Sequence, residues 1–312
     1  MIIGHKKQWG FLKEAAKKSS LPQAFIFAGE ENLGKKKMAF EFIKLLFCEG
    51  PDAAERPCQK CLACLLIEKA THPDFIFIEP QGKEIHIDQI RENLQKRVFL
   101  KPVLAPQKAV IINDAHCLNV LAQNCFLKTL EEPQTRAIFI LVSSLPELLL
   151  STIRSRCEIM KFYPLKADEM EQVGGIGHLS GWEELNSFSQ GKPGIALRFA
   201  KEPQLAADLK LFNQEAKGFL QKDLADKLIF IKHLFERNKD NAPKECFGLL
   251  ENMVWVLRAA LWQRINSQNA QANEKAFLRL KKAIELTEEA KMLLQTTNVN
   301  SRLLLENLVL NF

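Results

Sequence analysis

Over the first 163 residues, short runs of β-branched and aromatic apolar residues alternate with stretches whose apolar positions recur every three or four residues. The runs at 24–28, 74–78, 109–113, 137–143 and 158–162 predict strands, and helices are expected between them. These runs have almost no polar alternation, so neither sheet face is expected to meet water. That pattern suits a parallel sheet covered by helices on both sides. After Tyr163-Pro164 the strand pattern stops. A mixed segment to about Glu202 carries Gly174-Gly175-Ile176-Gly177 and Gly191-Lys192-Pro193-Gly194, which predict short helices joined by tight turns. From about Leu205 to Phe312 the period is helical throughout, with only Pro243 interrupting it, and a bundle of four or five helices is expected. In that region Trp255, Leu257, Trp262 and the leucines at 303–305 fall at helical spacings, mostly as core with some left for subunit contacts. The predicted organisation is an α/β domain over 1–163, a small helical lid over 164–204 and a helical bundle over 205–312.

Composition narrows this little further. The chain has 312 residues, 47% hydrophobic and 26% charged, with 14 Gly and 13 Pro, which is globular rather than fibrous or disordered. The formal net charge is +6, and residues 1–163 carry most of it, with 23 basic and 18 acidic residues. A mild excess of this kind permits an anionic partner without naming one. The start, Met1-Ile2-Ile3-Gly4-His5-Lys6-Lys7, lacks the apolar core of a secretory signal, and no run approaches the length of a membrane span. The chain is therefore read as cytoplasmic, with no membrane partner, and its eight cysteines as reduced thiols rather than disulfides.

The first chemical motif follows the first predicted strand. Gly29-Glu30-Glu31-Asn32-Leu33-Gly34-Lys35-Lys36 leads from that strand into a predicted helix over 38–47, the setting of a phosphate-binding loop. In such a loop backbone N–H groups wrap phosphates, the helix N-terminus adds positive dipole, and a lysine reaches the terminal phosphates. Gly29, Gly34 and Lys35 fit those roles. The next position should offer a hydroxyl to Mg²⁺, but it is Lys36, whose ammonium cannot ligate a cation. A second alteration lies at the end of the 109–113 run, where Asn113 replaces the metal-facing Asp and Asp114 replaces the catalytic Glu. These changes favour a scaffold kept for shape or weak nucleotide binding over a working ATPase. His116 is expected to pack or hydrogen-bond behind the strand. The Lys35–Lys37 run reads as solvated apart from Lys35.

The second motif is the spacing of Cys48, Cys58, Cys61 and Cys64, inserted after the predicted helix. Four thiolates within 17 residues can close a tetrahedron around Zn²⁺. With no His or carboxylate as an obvious open-site ligand, this reads as a closed structural site. Cys117, Cys125, Cys157 and Cys246 lie among apolar residues and are expected to be ordinary buried cysteines.

Together with the altered loop and the cysteine module, four further motifs carry a family resemblance. They are His72-Pro73-Asp74, Ile87-Asp88-Gln89-Ile90-Arg91, Leu127-Lys128-Thr129-Leu130-Glu131-Glu132-Pro133 and Ser155-Arg156-Cys157. In this order they resemble the bacterial clamp loader subunits of the AAA+ class, over residues 1 to about 200. The resemblance implies a P-loop-type α/β domain with a zinc-binding insertion, a lid and a helical collar. Two kinds of subunit share that layout, the ATP-hydrolysing motor, gamma or tau, and a stator that does not hydrolyse ATP. Lys36, Asn113 and Gly194, the last standing where the motor carries a phosphate-sensing Arg, place the chain with the stator. The resemblance also implies that Arg156 acts in trans as an arginine finger on the nucleotide of a neighbouring motor subunit. Its expected partners are gamma or tau and delta subunits in a hetero-oligomeric ring and, through the ring, the sliding clamp and primed DNA. Its expected standing is that of an accessory subunit of a DNA-directed DNA polymerase without ATPase activity of its own. The alternative within the family is a gamma- or tau-type motor. Read without the resemblance, Arg156 is a surface arginine paired to a nearby carboxylate such as Glu158.

Overall fold

The computed structural model describes residues 4–17, 21–131, 136–173, 182, 189–202, 211, 214–237, 242–266, 274–297 and 299–311. The chain divides into two compact units. One comprises residues 1–179 and 191–197, the other 180–190 and 198–312.

The first unit is built on five strands, β1 (Ala24–Ala28), β2 (Phe75–Ile78), β3 (Lys108–Ile112), β4 (Ala137–Ser143) and β5 (Glu158–Lys161). All neighbours pair in parallel, in the order β2-β3-β4-β1-β5. Successive side chains of a strand point to opposite faces, and both faces here are apolar. Ile26, Val110, Ile112, Phe139 and Leu141 face one buried layer with α4 (Ile87–Ile90), its π-helical continuation Arg91–Val98, α5 (Val120–Glu131) and α6 (Ser151–Arg154). Phe25, Phe27, Ala109, Ile111, Ile138 and Ile140 face the other, with α1 (Lys6–Lys17), α2 (Lys35–Phe47) and α3 (Leu62–Glu68). Strands β1, β3 and β4 are buried at every residue, whereas β5 is exposed at three of its four. β5 lies at the sheet edge, which explains its more polar sequence, Glu-Ile-Met-Lys. The five predicted strands thus form within one residue of their expected ends. Helix α7 (Ala167–Glu171) follows, and α8 (Pro193–Lys201) contains the boundary between the units. The predicted turn at Gly174–Gly177 lies outside the described residues.

In the second unit α9 (Leu224–Arg237), α10 (Ala242–Asn266), α11 (Glu274–Thr296) and α12 (Ser301–Leu310) pack together, with a further helical stretch at 214–221. Phe219, Ile231, Cys246, Leu250, Met253, Ala290, Leu305 and Leu308 form the core. The Asn300 side chain caps α12 by accepting from the backbone N–H groups of Arg302 (3.0 Å) and Leu303 (3.3 Å). Helices α10 and α11 are tied by Arg258–Glu288 and by Lys291–Glu251 at 3.1 Å. Of the apolar positions singled out in the sequence, Leu257 and Leu305 are buried, Leu304 and Trp255 are half-buried, and Leu303 is exposed. The Trp262 side chain lies outside the described residues.

Candidate functional site

Helix α2 carries a candidate site at each end. At its N-terminus the loop 29–34 leaves β1 and turns into the helix. Gly29 is required there: at φ 148° its backbone lies against Phe162, and a Cβ would sit 2.4 Å from the Phe162 carbonyl oxygen. Its own N–H donates to Ser143 O at the end of β4 (3.2 Å), which anchors the loop on the sheet. Next to the loop opens a cleft of about 1160 Å³, lined among others by His5, Lys35, Lys36, Asp114, His116 and Gly194.

The side chains of this site are engaged with the protein itself. Lys35 is buried, and its ammonium donates to the carbonyl oxygens of Gly29 and Glu30 in its own loop. Burial pulls its pKa down to about 8, against the opposing pull of Glu31, Asp114 and Glu30. Lys36 is paired with Glu79 Oε2 at 3.2 Å and lies 4.4 Å from the centre of the Phe77 ring, so it is not the simply solvated lysine expected. Asn113 Nδ2 donates to Asp114 Oδ2 (2.8 Å) immediately after β3. His116 Nε2 lies 3.4 Å from Ser144 Oγ, its Nδ1 is buried without a hydrogen-bond partner, and burial lowers its pKa. Ser143 Oγ accepts from Leu145 N (3.2 Å), an ordinary strand-end contact. The N-terminus of α8 closes over the loop. Gly194 N donates to Asn32 O (2.9 Å), and a Cβ at 194 would meet the same oxygen at 2.9 Å. Lys192 pairs with Glu30 at 2.5 Å. Position 36 offers a Mg²⁺ ion an ammonium where a hydroxyl oxygen is needed.

At the C-terminus of α2 the cysteine module begins. The sulfur atoms of Cys48, Cys58, Cys61 and Cys64 all lie within 4.8 Å of one another. A tetrahedral zinc with Zn–S bonds of about 2.3 Å brings its sulfurs to about 3.8 Å from one another, so small adjustments close the site. Backbone N–H groups already point at sulfur: Gly50 and Cys58 donate to Cys48 Sγ (3.4 and 3.3 Å), and Cys61 donates to Cys58 Sγ (3.3 Å). Such donors hold thiolate ligands in place. Backbone N–H groups of Lys60 and Cys61 draw the Cys58 pKa down to about 6, while burial pushes that of Cys64 up. Four crowded thiols cannot all ionise without a cation to offset their charge. The cluster can therefore hold a metal ion, and its all-sulfur donor set suits zinc.

Beneath the module Lys44 is buried against Glu41 Oε1 (3.0 Å), Gln59 Oε1 (2.9 Å) and Glu68, joining α2, the cysteine loop and α3. Burial opposes its charge, but Glu68 and Glu41 outweigh that and raise its pKa. Cys125 and Cys246 are buried as expected. Cys117 and Cys157 are only half-buried: Cys117 ends the single 3₁₀ turn Ala115–Cys117 that follows β3, and Cys157 lies in the short connection between α6 and β5.

Two carboxylates stood in the quoted motifs with no partner assigned to them. Asp74 is fully buried and accepts from the backbone N–H groups of Val103 (2.9 Å), Leu104 (2.7 Å) and Ala105 (2.8 Å) and from Lys108 Nζ (2.8 Å). Burial alone would raise its pKa. These four donors outweigh it and hold the carboxyl well below the usual range. The second is Glu131, the last residue of α5, whose Oε1 lies 2.8 Å from Arg156 Nη2. The partner of Arg156 is thus Glu131 rather than Glu158. No sequence spacing links these two residues; only the contact of α5 with α6 brings them together.

A parallel sheet covered by helices on both faces, with a glycine loop running from its first strand into a helix, defines an α/β protein of phosphate-loop type. Residues 4–166 match the family described as DNA polymerase III, delta subunit, and the chain belongs to that family. It is 38% identical to the DNA polymerase III subunit delta′ of Pseudomonas aeruginosa, over 56% of this chain and 55% of that one. It is 34% identical to the delta′ subunit of Bacillus subtilis, over 51% and 48% respectively. The chain spans about half the length of the curated relatives it matches. Among solved structures, it is similar to a DNA polymerase III gamma subunit-related protein from Thermotoga maritima, with 22% identity, a TM-score of 0.48 and coverage of 97% of this chain and 98% of that one. Among the described residues, no helix is long and apolar enough to cross a membrane.

Proposed function

We propose that this chain is a delta prime-type stator of the DNA polymerase III clamp loader. In this reading it does not hydrolyse ATP and supplies Arg156 in trans to the nucleotide of an adjoining gamma or tau subunit. The observation that carries the reading is a contrast within one unit. The chain's own phosphate-loop lysine, Lys35, is buried on the carbonyl oxygens of its own loop, whereas Arg156, though paired with Glu131, keeps 41% of its side chain exposed at the surface. An arginine suits the finger role because its planar fork is always charged and grips two phosphate oxygens. The three-part division at 163 and 204, the delta and motor partners in the ring, the service to the sliding clamp at primed DNA and the cytoplasmic location belong to the same proposal. So does a structural zinc on Cys48, Cys58, Cys61 and Cys64. A bound zinc would supply no chemistry beyond holding the insertion.

The test is reconstitution with the motor and delta subunits. Arg156→Ala should lower ATP turnover at the adjoining site by about 10³-fold or more, with clamp loading falling in step. Unchanged DNA-stimulated ATPase and clamp loading would sink the proposal. The gamma- or tau-type reading predicts instead that the isolated chain binds ATP in a Mg²⁺-dependent way and turns it over.

A further inference from the structure

We infer that Glu131 is the positioning residue for Arg156, holding its guanidinium ready for the neighbouring nucleotide; this rests on the arginine-finger reading above. Arg156 sits in the turn after α6, where its N–H donates to Ile153 O at 3.1 Å. Two anchors fix its side chain. Nη1 donates to Thr152 O at 3.0 Å, and Nη2 pairs with Glu131 Oε1 at 2.8 Å. Both anchors rise from the same buried layer: Leu130 precedes Glu131, Ile153 follows Thr152, and Cys157 packs beside them. The separation of the anchors is therefore set by the core and not by the surface side chains.

A guanidinium carries five N–H donors. Thr152 O takes one of them and Glu131 pairs with Nη2, which leaves others for an incoming anion. A long side chain clamped this way loses less freedom when it engages a phosphate than one moving in solvent. An exposed ion pair adds little to stability, and here both partners are about 40% exposed. The pair therefore serves orientation more than folding. Because Glu131 ends α5, a neighbour pressing on that helix end would shift the arginine with it.

The test uses the reconstituted clamp loader with Glu131→Ala, Glu131→Gln, Arg156→Ala and the Glu131→Ala/Arg156→Ala double variant. Glu131→Ala should lower kcat on the order of ten- to a hundred-fold, with KM for ATP and the melting temperature nearly unchanged. Glu131→Gln keeps an oxygen acceptor and should recover most of the rate. The double variant should be no worse than Arg156→Ala alone, because both changes remove one function. If Arg156→Ala slows turnover while Glu131→Ala leaves it unchanged or raises it, the positioning role is wrong and the finger stands. Additive losses in the double variant overturn the positioning role as well. If Arg156→Ala itself has no effect, the finger reading fails and Glu131 falls with it.

Discussion

The two ends of helix α2 offer the same kind of promise and keep it differently. At the N-terminus, Gly29 and Gly34 preserve the backbone of a phosphate loop, yet Lys35 and Lys36 are spent on partners within the chain. At the C-terminus, four cysteine sulfurs converge with backbone donors already aimed at them. The difference lies in what each site is made of. A site built from backbone N–H groups keeps its shape when the neighbouring side chains change, so its outline can outlast its chemistry. A site built from four side chains has no outline without all of them.

The largest expected effect tests the C-terminal end. Chelation, or Cys61→Ser, should remove about one zinc per chain and destabilise the first unit by several kcal/mol, on the scale of structural zinc sites. Metal counting alongside thermal unfolding checks this. A chain that keeps its melting temperature without metal would erase the contrast between the two ends.

The next effect concerns charge spent inside the fold, as at the phosphate loop but on a deeply buried group. Asp74→Asn should cost about 3 kcal/mol, since it leaves Lys108 buried without its partner. The native carboxyl has a depressed pKa, so its contribution is complete above the unfolded value of about 4 and is lost as pH falls below it. Urea midpoints measured from pH 7 to pH 3 should therefore fall more steeply for the native chain than for Asp74→Asn. Parallel slopes would show that Asp74 is not the group responsible.

The smallest effect lies at the N-terminal end. Lys36→Ala removes a half-exposed pair with Glu79 and a contact with Phe77 and should cost under about 1 kcal/mol. Nucleotide affinity, measured by titration calorimetry with and without Mg²⁺, should not fall. A marked loss of affinity would mean that Lys36 serves phosphate, and that the two ends of α2 differ less than their side-chain contacts indicate.

Much of the fold was legible in the chain because parallel strands buried on both faces read as unbroken apolar runs. Ile111 and Ile112 point to opposite layers, and both must be apolar. β5 was equally legible despite its polar residues, since Met160 and Phe162 alone mark its buried side. The cysteine cluster was legible because its ligands lie close in sequence. The pairings of Asp74 and Glu131, both known only as motif members, were not. Their partners lie 34 and 25 residues away, and no local period encodes a contact made by the ends of different elements.

By itself, then, the sequence determined the α/β layering, the glycine loop with its altered metal positions, the thiol quartet and the family to which the chain belongs. Each of these is a property of neighbouring residues, and local sterics, hydrophobic period and donor chemistry suffice to state it. Only the tertiary structure decided where the charges went: Lys35 onto its own loop, Lys36 onto Glu79, Lys44 between two carboxylates, and Arg156 onto Glu131 at the surface. The reason is electrostatic. A charge must find a partner when it leaves water, and which partner lies within reach is set by how the helices and strands pack.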